Sequence, residues 1–156
     1  MTTLNPTLPD PARSRAVLIA VSEYHNDGLA SYPALAEGAR ELAELLKHPD
    51  VWGLAAEHCT VLIDAAHTDE EAILDAIDAA AREAEDALVI YFSGHGVTWQ
   101  GQYWLAHSRA RPGDCNRWLP WKRLRSRSGQ RQDRLEWRRC DVGWSSLGGA
   151  LGGSAV

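Results

Sequence analysis

The chain's strongest chemical signal is His95, an imidazole held between Gly94 and Gly96 at the end of the apolar run 88–92, Leu-Val-Ile-Tyr-Phe. That run is β-branched and aromatic and carries no charge, which predicts a strand buried on both faces. Neither glycine has a Cβ, so the backbone is free to turn sharply and the Gly96 amide can come close to a substrate carbonyl. A general base beside an oxyanion donor needs that geometry. A histidine in a glycine-rich loop more commonly serves as a hydrogen-bonded structural residue, and spacing alone does not separate the two uses.

The elements that must position His95 read as alternating strands and helices. Residues 15–24, Arg-Ala-Val-Leu-Ile-Ala-Val-Ser-Glu-Tyr, form a first buried strand entering a polar loop, and residues 59–64, Cys-Thr-Val-Leu-Ile-Asp, form a second. Between them Leu35, Ala39, Leu42 and Leu46 recur at helical spacing, predicting one amphipathic helix over 34–47 that Pro49 stops. Thr68 and Glu71 form a T-x-x-E capping box, opening a helix with Ile73, Ile77, Ala81 and Ala84 as its inward stripe. The order strand, helix, strand, helix, strand is that of a parallel α/β sheet with right-handed crossovers. Function in such sheets gathers at the carboxyl ends of the strands, the edge on which His95 falls.

The strings Arg15-Ala-Val-Leu-Ile-Ala-Val-Ser-Glu-Tyr, Lys47-His-Pro-Asp-Val-Trp-Gly-Leu and above all Tyr91-Phe-Ser-Gly-His-Gly resemble the caspase-like cysteine peptidases, in particular the bacterial caspase-domain proteins related to metacaspases. The resemblance covers about residues 13–106. It implies a three-layer α/β/α sandwich with a mainly parallel sheet, here incomplete on its C-terminal side. It also implies peptide-bond hydrolysis by a Cys/His dyad, without a cofactor, on a protein or peptide substrate. His95 would be the general base and then the general acid, with Gly96 as an oxyanion donor. In the family the histidine ends the third strand and the nucleophilic cysteine ends the fourth.

The family's cysteine motif, Asp-x-Cys-x-Ser/Gly after a Val/Ile/Leu run, does not occur in this chain. Cys59 opens the second strand, at the opposite end of a parallel sheet from His95, and reads as a small buried hydrophobe. Cys115 follows Pro-Gly-Asp only 20 residues after His95, too near for an intervening helix and strand. Cys140 lies 45 residues after His95, about the family's separation, and is the candidate nucleophile by spacing. Its surroundings oppose it, because residues 134–139, Arg-Leu-Glu-Trp-Arg-Arg, place unpaired charge where a buried strand belongs.

Composition breaks at the same place. Residues 1–108 hold five basic and seventeen acidic side chains, whereas residues 109–140 hold eleven basic and three acidic ones. Residues 125–134 contain no apolar side chain, so that stretch has nothing to bury against its ordering entropy. The organisation expected is a flexible leader over 1–12, an α/β domain over 13–108 and an Arg/Trp-rich tail over 109–156. The tail reads as disordered or as the product of a reading frame lost near residue 109, which would leave a truncated, inactive scaffold. A lesser reading makes it a basic arm whose arginines meet phosphates and whose tryptophans stack on bases of a nucleic acid.

At 156 residues, 45% of them hydrophobic, the chain suits one domain with a modest core. Residues 1–12 lack the charged start and apolar core of a signal peptide. No run approaches the roughly 18 apolar residues of a membrane helix, so no membrane partner is expected. Three cysteines without paired spacing favour a reducing cytoplasm over a disulfide framework. The six histidines include no zinc-type spacing, and no metal is expected. The loop after the first strand shares an edge with His95, so Glu23 or Asp27 could receive a basic substrate side chain, although Asn26-Asp27-Gly28 is also ordinary turn chemistry. Residues 97–106 read as a hairpin turning at Gly101, with Trp99 and Trp104 as groove walls or simple packing partners.

Overall fold

The computed structural model describes residues 8–63, 65–114 and 117–128. Its organising element is β1 (Arg15–Ala20), in which Ala16 through Ala20 have no exposed surface. β1 lies between β2 (Cys59–Leu62) and β3 (Leu88–Ser93) in a parallel sheet of order β2-β1-β3. Ala16 faces Cys59 on one side and Val89 on the other, so the three strands begin and end together. A second, antiparallel sheet joins β4 (Gly96–Trp99), β5 (Gln102–Leu105) and β6 (Leu119–Pro120). The chain is therefore an α/β protein with a mainly parallel sheet and a small antiparallel one.

Helix α1 (Ala34–Lys47) fills the first crossover over the range that the apolar spacing predicts. Its buried face differs from the expected leucine stripe, since Ala36, Ala39 and Ala43 are buried and Leu35, Leu42 and Leu46 flank them half-buried. Small side chains at the centre let the helix axis approach β1 and β2, against which it packs. Helix α2 (Glu70–Glu83) fills the second crossover. Its N-cap is Asp69, whose Oδ1 accepts from the Ala72 amide at 2.9 Å, and not Thr68 as the T-x-x-E string suggests. Thr68 is fully buried one residue earlier, while Asp at the cap meets both the free amides and the positive helix end. Ile73, Leu74, Ile77 and Ala80 of α2 are buried, and all four join Val17, Ile19, Val21 and Phe92 in the main core.

The expectation of a third strand buried on both faces is corrected by the structure. β3 pairs only with β1 among the described residues, and its side chains are half-buried apart from Phe92. One face of its apolar run packs on α2, and at the edge of the described sheet β3 does not reach the burial of β1.

The core continues past residue 108. Leu119 is fully buried, as is Leu124 on helix α3 (Trp121–Ser128), and both join the main cluster against α2. Two arginines of α3 meet carboxylates of α2, Arg127 with Asp78 at 2.5 Å and Arg123 with Glu70. Part of the basic segment is thus neutralised within the fold. No helix among the described residues is long and apolar enough to cross a membrane. Leu124→Ala leaves a cavity beneath α3 and should lower the urea unfolding free energy by about 2–4 kcal/mol, at unchanged denaturant slope. A loss below about 0.5 kcal/mol would mean that α3 does not close this core.

Candidate functional site

Parallel register brings the ends of β1, β2 and β3 to one edge, and a net of main-chain hydrogen bonds ties the following loops there. Val21 N–H donates to Ser93 O at 2.8 Å, Tyr32 N–H to Ser22 O at 2.8 Å, and His25 N–H to Ser108 O at 2.8 Å. The loop between β1 and α1 consequently folds back across the end of β3. His95 stands in the connection from β3 to β4, where that loop meets it.

Three contacts hold His95. Its backbone N–H donates to Tyr24 Oη at 2.8 Å, its Nε2 lies 2.9 Å from the Ala30 carbonyl oxygen, and its own carbonyl accepts from Ala106 N–H at 2.9 Å. A carbonyl can only accept, so Nε2 carries the proton and Nδ1 of the neutral ring keeps its lone pair. The rings of Tyr24 and Tyr32 lie 5.1 and 5.5 Å from the imidazole, tilted at 52° and 53°, and confine its rotation. Burial pushes the Tyr24 phenol up to about 12, against a smaller opposing effect of the hydrogen bond from the His95 amide, so Tyr24 acts as a neutral post.

The two glycines have different physical roles. Gly94 is needed for space: a Cβ there would lie 3.1 Å from Tyr24 Oη and 3.2 Å from the Phe92 ring. Gly96 opens β4 opposite Leu105, and the bond from Ala106 N–H to His95 O marks this as a pair without mutual hydrogen bonds. Its amide therefore points away from β5, along the outer edge of β4. The sharp left-handed bend lies instead at the hairpin tip, where Gln100 and Gly101 have φ of 50° and 71°, the two-residue turn that a tight hairpin demands. Trp99 and Trp104 meet edge to face across this hairpin with centroids 5.7 Å apart, and Trp104 Nε1 donates to Trp99 O at 3.3 Å.

Of the other expected site residues, Glu23 and Asp27 are exposed on the loop after β1, and neither carboxylate is paired among the described residues. Asn26 Oδ1 accepts from Gly28 N–H at 2.9 Å, the turn chemistry that the sequence also allowed. Cys140 and Cys115 lie outside the described residues. Cys59 is half-buried, with its thiol pushed up by burial against a lowering by Lys47. It shares the register level of Val89, about 13 Å of strand before Ser93, and cannot reach His95.

Tyr24, Ala30 and Tyr32 are the participants that sequence reasoning missed. A polar loop carrying two tyrosines just after a buried strand was a usable signal for the rings. Ala30 acts through its main chain, for which residue type gives no signal. No protein-family model matches the chain, and no curated protein matches it. Among the described residues no group of three or more His, Cys, Asp or Glu side chains could hold a metal ion.

A phenol whose folded pKa is raised stabilises the fold fully below its unfolded value near 10, and that contribution is lost as pH climbs toward 12. Tyr24→Phe should cost about 1–2 kcal/mol at neutral pH by leaving the His95 amide unpaired. The same variant should also flatten the fall in stability between about pH 10 and 12, measured by urea titration at each pH. An unchanged alkaline slope would show that Tyr24 is not held as a buried phenol.

Proposed function

We propose that the chain is a caspase-like domain of cysteine-endopeptidase type, with His95 as its proton-transfer residue and Gly96 as an oxyanion donor. The observation that carries this reading is the clamp on His95. One ring nitrogen is committed to Ala30 O, the other is left with its lone pair, and an outward-facing amide follows one residue later. Right-handed crossovers support the three-layer form of the sandwich. The chain moves from β1 to its neighbour β2 and then back across to β3, in opposite directions, which sends α1 and α2 to opposite faces.

In this mechanism Nδ1 of His95 takes the proton of a cysteine thiol, and the thiolate attacks the peptide carbonyl carbon. The carbonyl π electrons move onto oxygen, where the Gly96 N–H stabilises the charge. Collapse breaks the C–N bond, and the imidazolium gives its proton to the departing amine. Water, deprotonated by His95, then hydrolyses the thioester and releases acid and thiol. The bond from Nε2–H to Ala30 O persists in both protonation states, so the ring need not turn between steps. By spacing the nucleophile is Cys140. The substrate is a protein or peptide, and the free carboxylates of Glu23 and Asp27 favour a basic side chain beside the cleaved bond.

A second reading, a scaffold of the same fold without chemistry, draws on a specific observation: Cys59, the cysteine among the described residues, sits at the wrong sheet edge with a thiol held protonated. Labelling with a peptidyl acyloxymethyl ketone bearing arginine next to the warhead, followed by mass mapping, separates the two. The peptidase reading expects Cys140 to be modified much faster than Cys59 or free thiol, with a loss of about a hundredfold or more in His95→Ala. If no cysteine outpaces free thiol, the scaffold reading replaces it.

A further inference from the structure

After β5 the chain leaves the antiparallel sheet and crosses the carboxyl edge of the parallel one, away from His95 and toward β2. Ser108 anchors this crossing: its N–H donates to Thr68 O at 2.9 Å and its Oγ to Ala65 O at 2.6 Å, both on the loop after β2. On either side of it in the chain, His107 and then Arg109, Arg111 and Arg117 line a cavity of about 410 Å³ with Glu70, the first residue of α2.

The cavity is built rather than incidental, because buried rings fix the main chain of all three arginines. His107 is only 8% exposed, its Nδ1 accepts from Arg109 N–H at 3.2 Å, and its Nε2 donates to Arg117 O at 3.0 Å. The imidazole is thus a neutral strut joining two of the arginine positions. Trp118, 6% exposed, donates its Nε1–H to Arg111 O at 2.9 Å and fixes the third.

The guanidinium groups, by contrast, are left available. Arg109 Nε lies 3.5 Å from Asp69 and Arg117 Nε 3.8 Å from Asp114, long contacts with the arginine side chains 68% and 75% exposed, and such pairs are weak. Arg111 has no ion pair among the described residues. The opposing carboxylates have other duties. Asp69 caps α2, and Glu70 is taken by Arg123 on α3. The positive end of α2 adds to the field of the arginines.

We propose that this cavity is a binding site for a phosphate group, free or carried as a monoester. A single carboxylate is satisfied by one guanidinium fork, whereas the oxygens of a phosphate dianion can be shared among three. The volume exceeds that of one phosphate ion and leaves room for a small organic substituent. The site lies two strands from His95 and stands whether or not that residue is catalytic.

Isothermal titration with inorganic phosphate, glycerol 2-phosphate and citrate, each against sodium chloride of matched ionic strength, tests the proposal. Saturable one-to-one binding of phosphate or of the ester is expected, and the tighter of the two identifies the free ion or the monoester as the natural form. Arg111→Ala and, separately, Arg117→Ala should weaken binding about tenfold or more, with Arg111→Lys intermediate. Arg40→Ala, which removes an arginine paired with Glu37 on α1, should leave it unchanged. The proposal is overturned by the absence of saturable heat up to about 10 mM ligand, a concentration that would reveal even millimolar affinity. Wild-type affinity in both alanine variants, or citrate binding as tightly as phosphate, overturns it as well.

Discussion

Everything chemical in this protein depends on the parallel register in which fully buried β1 holds β2 and β3. Because Ala16 faces Cys59 and Val89 at one level, all three strands deliver their following loops to one edge. Two loops from different strands can then support one side chain: the loop after β1 gives Tyr24, Ala30 and Tyr32, and the connection after β3 gives His95. The same register sends Cys59 to the far edge. Alanine at the centre of α1 and the Ile73, Leu74 and Ile77 face of α2 seal β1 in place, so the burial that stabilises the sheet is also what aligns the site.

Two of the histidines bordering that edge, His107 and His95, show how environment divides the roles of one residue type. His107 spends both ring nitrogens on the backbone of its own segment and is nearly sealed from solvent, which makes it a structural strut. His95 spends one nitrogen on Ala30 and is partly open, which leaves a basic lone pair in a fixed direction. The exposed carboxylates of Glu23 and Asp27 lie on the loop after the central strand β1, and the arginines of residues 109–117 gather by the first residue of α2.

Much of this was legible in the sequence. Helical spacing gave α1 its bounds, the apolar runs gave the three parallel strands, and Gly101 marked the hairpin. His95 was found because glycine on both sides of a histidine after a strand is an unusual combination. What escaped has physical causes. An apolar run does not by itself fix how far each face of a strand is covered, and β3 is half-buried apart from Phe92 among the described residues. A T-x-x-E string cannot show that Asp69 is one residue better placed to cap. Arg-rich composition hid the core role of Leu119 and Leu124, since two buried leucines among many charges barely change an average. The clamp on His95 uses a main-chain oxygen, to which residue identity is blind.

The site rests on His95 being held in the Nε2–H form with Nδ1 bare. Long-range nitrogen–proton correlation spectra of the protein labelled with ¹⁵N-histidine, with His95 assigned by its disappearance in His95→Gln, read this directly in the neutral state. A single, unaveraged tautomer with the proton on Nε2 is expected, with loss of that preference when Tyr24 and Tyr32 are both replaced by alanine. A proton on Nδ1, or signals averaged as in a freely turning imidazole, would contradict it.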